Sequence, residues 1–152
     1  MNISMGSADN LDAVMRVMAA AFDPRFGEAW TASQCLGVLA MRGSTLHIAC
    51  DAGDSLAGFA LARTIVGECE LMLLAVDPRA RRRGVGRALL DAVVRDAMAA
   101  GAKSLHLEVR SGNDAIFLYS SAGLAQIGSR KSYYRGAGGQ MFDAATFHRV
   151  LI

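Results

Sequence analysis

Apolar residues recur at Leu11, Val14, Met15, Met18 and Phe22, a 3.6-residue period that predicts a helix, with Asp9 or Asn10 placed to cap it. Asp23-Pro24-Arg25-Phe26-Gly27 breaks the period, and a second short helix is expected from near Ser33 to about Met41. Thr45 to Cys50 reads as a strand and Asp51-Ala52-Gly53-Asp54 as a hairpin turn. Two further strands follow, Ser55 to Val66 and Glu68 to Val76, with Gly67 between them. Neither alternates cleanly between apolar and polar, so both are expected to be buried on both faces.

In the second half, a helix from Gly84 to Ala100 keeps Val85, Leu89, Val93 and Ala97 on one stripe, and Gly101 is a natural C-terminal cap. Ser104 to Val109 is a strand. Ser111 or Asn113 can cap a helix that ends at Gly123. Leu124 to Lys131 and Met141 to Val150 read as the last two strands, joined by Tyr133-Tyr134-Arg135-Gly136-Ala137-Gly138-Gly139. Helices, then an antiparallel meander, then β–α–β–α–β–β predict a mixed α/β fold in a single domain over 1–152, with no internal repeat and no linker.

The densest chemistry lies where the apolar run Leu71-Met72-Leu73-Leu74-Ala75-Val76 feeds a short basic loop that opens into the long helix. A strand, a glycine turn and a helix N-terminus make a site for phosphate, because the first helical N–H groups lack intrahelical partners and the dipole favours negative charge. Gly84 and Gly86 carry no Cβ, so a pyrophosphate can approach the backbone. Arg79, Arg81, Arg82, Arg83 and Arg87 surround them. Such a run is also what a solvated face looks like; directly before a glycine turn it reads as an anion site for something carrying a diphosphate.

Composition narrows the rest. An apolar fraction of 53% and a charged fraction of 20% over 152 residues describe a globular chain long enough to bury a core. A net charge of +2 does not imply nucleic-acid binding. Cys35, Cys50 and Cys69 are an odd count without metal-ligand spacing, which points to free, buried thiols in a reducing compartment. No metal is expected. The N-terminus lacks the pattern of a signal peptide, and no apolar run approaches the roughly 20 residues of a membrane span, so a cytoplasmic location is expected.

Arg81-x-x-Gly84-x-Gly86 after a strand resembles the acyl-CoA signature of the Gcn5-related N-acetyltransferase superfamily, Q/R-x-x-G-x-G/A. Leu107-Glu108-Val109-Arg110 with Asn113, then Leu118-Tyr119-Ser120-Ser121-Ala122-Gly123-Leu124, is similar to the family's L-E-V-R-x-x-N and L-Y-x-x-x-G-F. Arg130-Lys131-Ser132-Tyr133-Tyr134 resembles the R-x-x-Y-Y of a branch that acetylates protein N-termini. The match is close over roughly residues 70 to 150 and loose before that. Three departures stand out: Asn113 and Tyr119 are one residue closer than in the family, Leu124 replaces Phe, and Arg135 replaces a proline.

The resemblance implies a mostly antiparallel mixed sheet with one splayed parallel strand pair and about four flanking helices. It implies acetyl-CoA as co-substrate. Backbone groups of Leu74, Ala75 and Val76 would take the pantetheine arm and thioester, loop amides of Arg82, Arg83, Gly84, Val85 and Gly86 the pyrophosphate, with Arg81 of the signature also on the cofactor, and Asn113 the CoA arm. Glu108 would be the general base, directly or through water, and Tyr119 the donor to the leaving thiolate; Tyr133 and Tyr134 would wall the acceptor groove. Read without the resemblance, Leu74 to Val76 is a buried strand, Glu108 a solvent-facing strand residue, Tyr119 a core aromatic, Asn113 a helix cap and the tyrosine pair strand-end packing. By alternation Glu108 shares a strand face with His106, opposite Leu105, Leu107 and Val109.

The expected acceptor is a protein N-terminus, by resemblance the N-terminal alanine of a small-subunit ribosomal protein, attacked directly in a ternary complex by a monomeric enzyme. A small amine, an antibiotic or a lysine side chain is the alternative within the superfamily, and a non-catalytic acyl-CoA-binding module the alternative outside catalysis. Direct nucleic-acid binding and membrane partners are not expected. His47, His106 and His148 have no spacing that suggests a metal or a triad, and Trp30 reads as core or groove lining.

Overall fold

The computed structural model describes residues 1–152. It begins with a strand that the sequence pattern did not announce. β1 (Asn2–Met5) pairs antiparallel with β2 (Ser44–Cys50). Four residues with a single half-buried position give no period to read. Helix α1 (Leu11–Ala21) follows a short 3-10 turn, and Asn10 stands at its N-cap, one of the two expected positions, without a side-chain cap bond to that helix. The side-chain bonds cap the 3-10 turn instead: the Ser7 hydroxyl accepts from the Asp9 N–H at 3.2 Å, while Asn10 Oδ1 accepts from the Ser7 N–H at 2.9 Å. α2 (Ala32–Leu39) starts one residue earlier than expected, because Thr31 and Gln34 form a reciprocal capping box.

β3 (Leu56–Ile65) and β4 (Glu68–Val76) form a hairpin whose tip is Val66-Gly67, both with positive φ, so the turn takes Val66 out of the strand. β3 is buried on both faces, as its lack of alternation predicts, but β4 is not. It alternates buried with half-buried positions. The pattern is masked in sequence by a bulge: Leu61 faces Leu73 and Ala62 faces Leu71, leaving Met72 as an extra residue. The bulge exchanges the strand's faces. Cys69 and Leu71 belong to the core under the later helices, and Leu73 and Ala75 to the core under α1 and α2.

After β4 come α3 (Val85–Ala99), β5 (Ser104–Arg110), α4 (Ala115–Ser121), β6 (Ala125–Arg135) and β7 (Met141–Val150). The sheet order is β1-β2-β3-β4-β5-β7-β6, with β4–β5 the one parallel pair. This is the mixed sheet with flanking helices that the resemblance implies. Val85, Leu89, Val93 and Ala97 of α3 are all buried against one face, and Val14, Val17 and Met18 of α1 against the other. β6 runs four residues past its expected end, so Tyr133 and Tyr134 lie in the strand rather than the connection. A bulge between Arg130 and Tyr134, with Ser132 at φ 53, absorbs the irregularity. The three cysteines are free, Cys35 and Cys69 buried and Cys50 half-buried. No helix is long and apolar enough to cross a membrane.

Candidate active site

Parallel pairing between β4 and β5 covers three positions, Glu68 with Ser104, Cys69 with Leu105 and Glu70 with His106. Beyond Glu70 the strands separate, and the bulge at Met72 turns β4 away from its neighbour. A cavity of about 140 Å³ opens in the gap. Leu71 to Leu74 form one wall and Leu107 to Val109 the other. Which backbone groups face the gap follows from the register. The Asp77 N–H donates to the Ala57 carbonyl at 2.7 Å. That makes Ala57 and Asp77 a hydrogen-bonded pair, so alternation turns the N–H groups of Val76 and Leu74 away from β3 and into the gap. The Ala75 N–H points toward β3. Of the three residues expected to bind through backbone, two present free donors.

The loop after β4 is organised by its own charges. Arg79 grips Asp77 with two side-chain hydrogen bonds, 3.2 and 3.0 Å, which hold the Asp77 carboxyl below its usual range. Arg87 bonds Asp91 at 3.0 Å, and Arg81 Nη2 donates to the Ala21 carbonyl at 3.3 Å. Arg82 and Arg83 are exposed and have no hydrogen-bond or ion-pair partner in the protein. Arg82 sits at φ 63 and Gly84 at φ 75, an alternation that lines up loop N–H groups ahead of α3. The two glycines differ. A Cβ on Gly84 would meet open space, whereas one on Gly86 would come within 3.2 Å of Leu118 and 3.7 Å of Leu74 and Val76. Gly84 leaves room outside; Gly86 lets α3 pack against β4 and α4. Of the two glycines expected to leave the backbone open to a pyrophosphate, only Gly84 borders open space.

Glu108 lines the cavity at 9% side-chain exposure. Both of its oxygens are engaged: Arg130 Nε donates to one at 2.9 Å and Thr146 Oγ1 to the other at 2.5 Å. Leu105, Leu107 and Val109 are buried on the opposite face, as alternation requires. Tyr119, 5% exposed, points its ring into the core and borders the cavity, and its hydroxyl has no protein partner. Burial first, and the Glu28 charge second, push its phenol well above the ordinary tyrosine value. Tyr134 donates to the Glu108 backbone carbonyl at 3.3 Å and stacks edge-on with Tyr133, ring centroids 4.9 Å apart. Both tyrosines line the cavity.

Asn113 is already occupied. Its Oδ1 accepts from the Ala115 N–H at 2.8 Å, starting α4, and its Nδ2 donates to Glu28 Oε2 at 2.7 Å. The N-cap position of α4 is Asp114, so Asn113 closes a turn one residue before the helix and its amide donor is taken by Glu28. Glu28 and Glu70 are cavity-lining carboxylates that sequence reading passed over. Glu70 was legible, since it breaks the apolar run of β4 as Glu108 breaks that of β5. Glu28 sits in an irregular segment where no period exists to be broken. Trp30 does both things expected of it, packing against the core under α1 and α2 and lining the cavity. No group of three or more His, Cys, Asp or Glu side chains is arranged to hold a metal ion.

A splayed parallel pair, a basic loop at a helix start and a carboxylate–phenol cavity are together the arrangement that the resemblance implies. The chain belongs to the acetyltransferase (GNAT) family, whose sequence profile matches residues 11–124. It is 39% identical over 95 residues to the ribosomal protein bS18-alanine N-acetyltransferase of Salmonella typhimurium, a match covering 62% of this chain and 64% of that one. The chain thus spans a little under two-thirds of that relative's length. The crystal structure of the ribosomal-protein-S18-alanine N-acetyltransferase from Escherichia coli superposes with a TM-score of 0.85 at 28% identity, covering 99% of this chain and 93% of that one. Ard1 from Thermoplasma volcanium superposes at 0.83 and 26% identity, covering 99% and 97%.

Proposed function

We propose that the protein transfers the acetyl group of acetyl-CoA to the α-amino group of a peptide N-terminus, the N-terminal alanine of a ribosomal protein being the acceptor that its relatives suggest. The observation that carries this reading is the separation of β4 from β5 beyond Glu70, which opens the cavity between the phosphate loop and Glu108. The free N–H groups of Leu74 and Val76 would hold the pantetheine arm and polarise the thioester carbonyl. Loop amides from Arg82 to Gly86, Val85 among them, with the Arg82 and Arg83 side chains, would take the pyrophosphate.

In the reaction, the neutral amine attacks the thioester carbon, the C–S bond breaks, and the thiolate collects a proton. Tyr119 would hydrogen-bond the thiolate and pass it a proton that the ammonium proton then replaces; burial, which raises the phenol, makes this transfer uphill rather than favouring it. The ammonium proton leaves to a carboxylate or to water. An α-amino group has a free pKa near 8, against about 10.4 for lysine, so the acceptor demands roughly 3 kcal/mol less deprotonation at neutral pH. One carboxylate is enough for such an acceptor. Tyr133 and Tyr134 wall the acceptor side.

Glu108 as base has a rival in the same cavity. Its oxygens are both hydrogen-bonded, while Glu70 has no hydrogen bond or ion pair and faces the same space. Glu108→Gln and Glu70→Gln, assayed for kcat/KM across pH 6 to 9, separate the two. The base variant is expected to lose about 10²-fold, most at low pH, with acetyl-CoA affinity unchanged. A flat loss in Glu108→Gln beside a pH-dependent one in Glu70→Gln would move the role to β4.

The activity itself is tested by thiol release from acetyl-CoA with a free ribosomal-protein N-terminal peptide, its Nα-blocked copy and a panel of small amines. Turnover with the free peptide alone supports the proposal. Turnover with small amines or internal lysines instead would identify another acceptor class, and tight acetyl-CoA binding without any turnover a binding module.

A further inference from the structure

The Leu107-Glu108-Val109-Arg110 segment contains a residue that acetyl transfer leaves without a task. Arg110, at the end of β5, is 13% exposed, and its Nε donates to Glu28 Oε1 at 3.0 Å. Its guanidinium lies over the Phe26 ring at 3.6 Å from the centroid. Asn113 Nδ2 takes the second Glu28 oxygen, so a carboxylate only 9% exposed is fully partnered. All of this converges on residues 23–30, the irregular connection between α1 and α2.

That connection is also seated on the β6–β7 hairpin. The Ala137 N–H donates to the Pro24 carbonyl at 3.0 Å, and Phe26 meets Phe142 edge-on at 5.2 Å. The backbones touch so closely that a Cβ on Gly27 would fall 2.0 Å from the Arg135 carbonyl oxygen, and one on Gly136 1.8 Å from that of Arg25. Glu28 and Trp30 of this connection line the cavity together with β4 and β5. A segment without helix or strand is thus held at two ends: by backbone contact to the hairpin, and by one buried ion pair to the strand that carries Glu108.

We propose that the Glu28–Arg110 pair is a latch that fixes the outer wall of the acceptor cavity and so sets which amine can enter, with Arg110 a positioning residue. This rests on the acetyl-transfer reading above. A buried ion pair contributes little net stability against apolar replacements, but removing one partner leaves a charge uncompensated. The remaining carboxylate would turn toward water, and the wall with it. The acceptor concerned is an N-terminal amine entering the cavity that Glu28 and Trp30 line. Lysine at position 110 keeps the charge but loses the flat face on Phe26 and the directed Nε.

The test compares wild type, Arg110→Lys and Glu28→Gln by three measurements. Hydrogen exchange reads the latch without turnover: amides of residues 23–30 should exchange about tenfold faster in both variants, with α3 and β4 unchanged. Steady-state kinetics on free N-terminal peptides should show an acceptor KM raised about tenfold with a smaller change in kcat, and an unaltered acetyl-CoA dissociation constant. The preference for an alanine over a leucine N-terminus, as a ratio of kcat/KM, should narrow about fivefold or more, which a general loss of structure would not produce. Unchanged exchange in residues 23–30 overturns the latch whether or not the protein turns over. Unchanged preference in an active variant overturns it too. Wild-type protein inactive on every peptide refutes the acetyl-transfer reading instead, while the exchange result still judges the latch.

Discussion

At the tip of the β3–β4 hairpin, Val66 holds φ at 48° and is 95% exposed, with Gly67 at φ 80° beside it. A two-residue turn with both central φ positive matches strand twist and favours Asn-Gly; a β-branched residue there is strained. Val66→Asn should therefore stabilise the protein by about 1 kcal/mol, raising the thermal midpoint by roughly 2–4 °C. Calorimetry reads the change, and a lowered midpoint would show the strain to be absent. Tyr119 makes a second residue-scale prediction. Burial raises its phenol above the unfolded value near 10, because the charged form is disfavoured inside. Both states are neutral below that value; above it only the unfolded chain ionises, so stability is lost as pH rises past about 10. Melting curves between pH 9 and 11.5 should fall steeply for wild type and less for Tyr119→Phe, with Tyr134, raised by the same cause, accounting for part of what remains.

At the scale of elements, the joint between β4 and α3 assigns its two glycines different tasks. Gly86 faces Leu118, Leu74 and Val76, so Gly86→Val should overpack the joint and cost about 1–3 kcal/mol, read in thermal or denaturant unfolding. Gly84 faces open space at φ 75°, where a side chain costs about 1 kcal/mol of backbone strain. Gly84→Val should instead weaken acetyl-CoA by about tenfold or more while moving stability less, which titration calorimetry would measure. Equal affinities for the two variants would remove Gly84 from the anion site. β4 itself illustrates how an element can hide its pattern. One extra residue, Met72, swaps inward and outward faces midway, so its side chains look uniformly apolar in sequence although the strand alternates in space. β6 hides its length for a related reason, because the bulge near Ser132 interrupts a period that resumes at Tyr134.

Across the whole molecule, the helical layers are tied to the sheet at few polar points. His47 of β2, 2% exposed, reaches Asp96 of α3 at 2.6 Å, and its other ring nitrogen is buried without a partner. Asp96→Ala would leave both nitrogens unpaired and should cost about 1–3 kcal/mol, seen as a lower unfolding midpoint; an unchanged midpoint would mean that water replaces the carboxylate. The helices of the two layers, the β2–β3–β4 meander and the position of the basic loop were legible in the sequence because each is written in local periods and turn residues. Arg81, Gly84, Glu108 and Tyr119 were legible because their spacing resembles a family's. What the sequence did not disclose is non-local. Glu28 meets Arg110 and Asn113 across more than 80 residues of chain. The pairing of Arg79 and Arg87 with their own aspartates, which leaves Arg82 and Arg83 unpaired, depends on side-chain geometry that spacing does not encode. The cavity exists only because β4 and β5 part after three paired positions. Sequence by itself determined the helices and most of the strands, though not β1 or the full length of β6, since periodicity and capping act within a few residues. Tertiary structure alone decided which of the site residues are free to act, because hydrogen-bond partners, strand register and packing are settled between segments far apart in the chain.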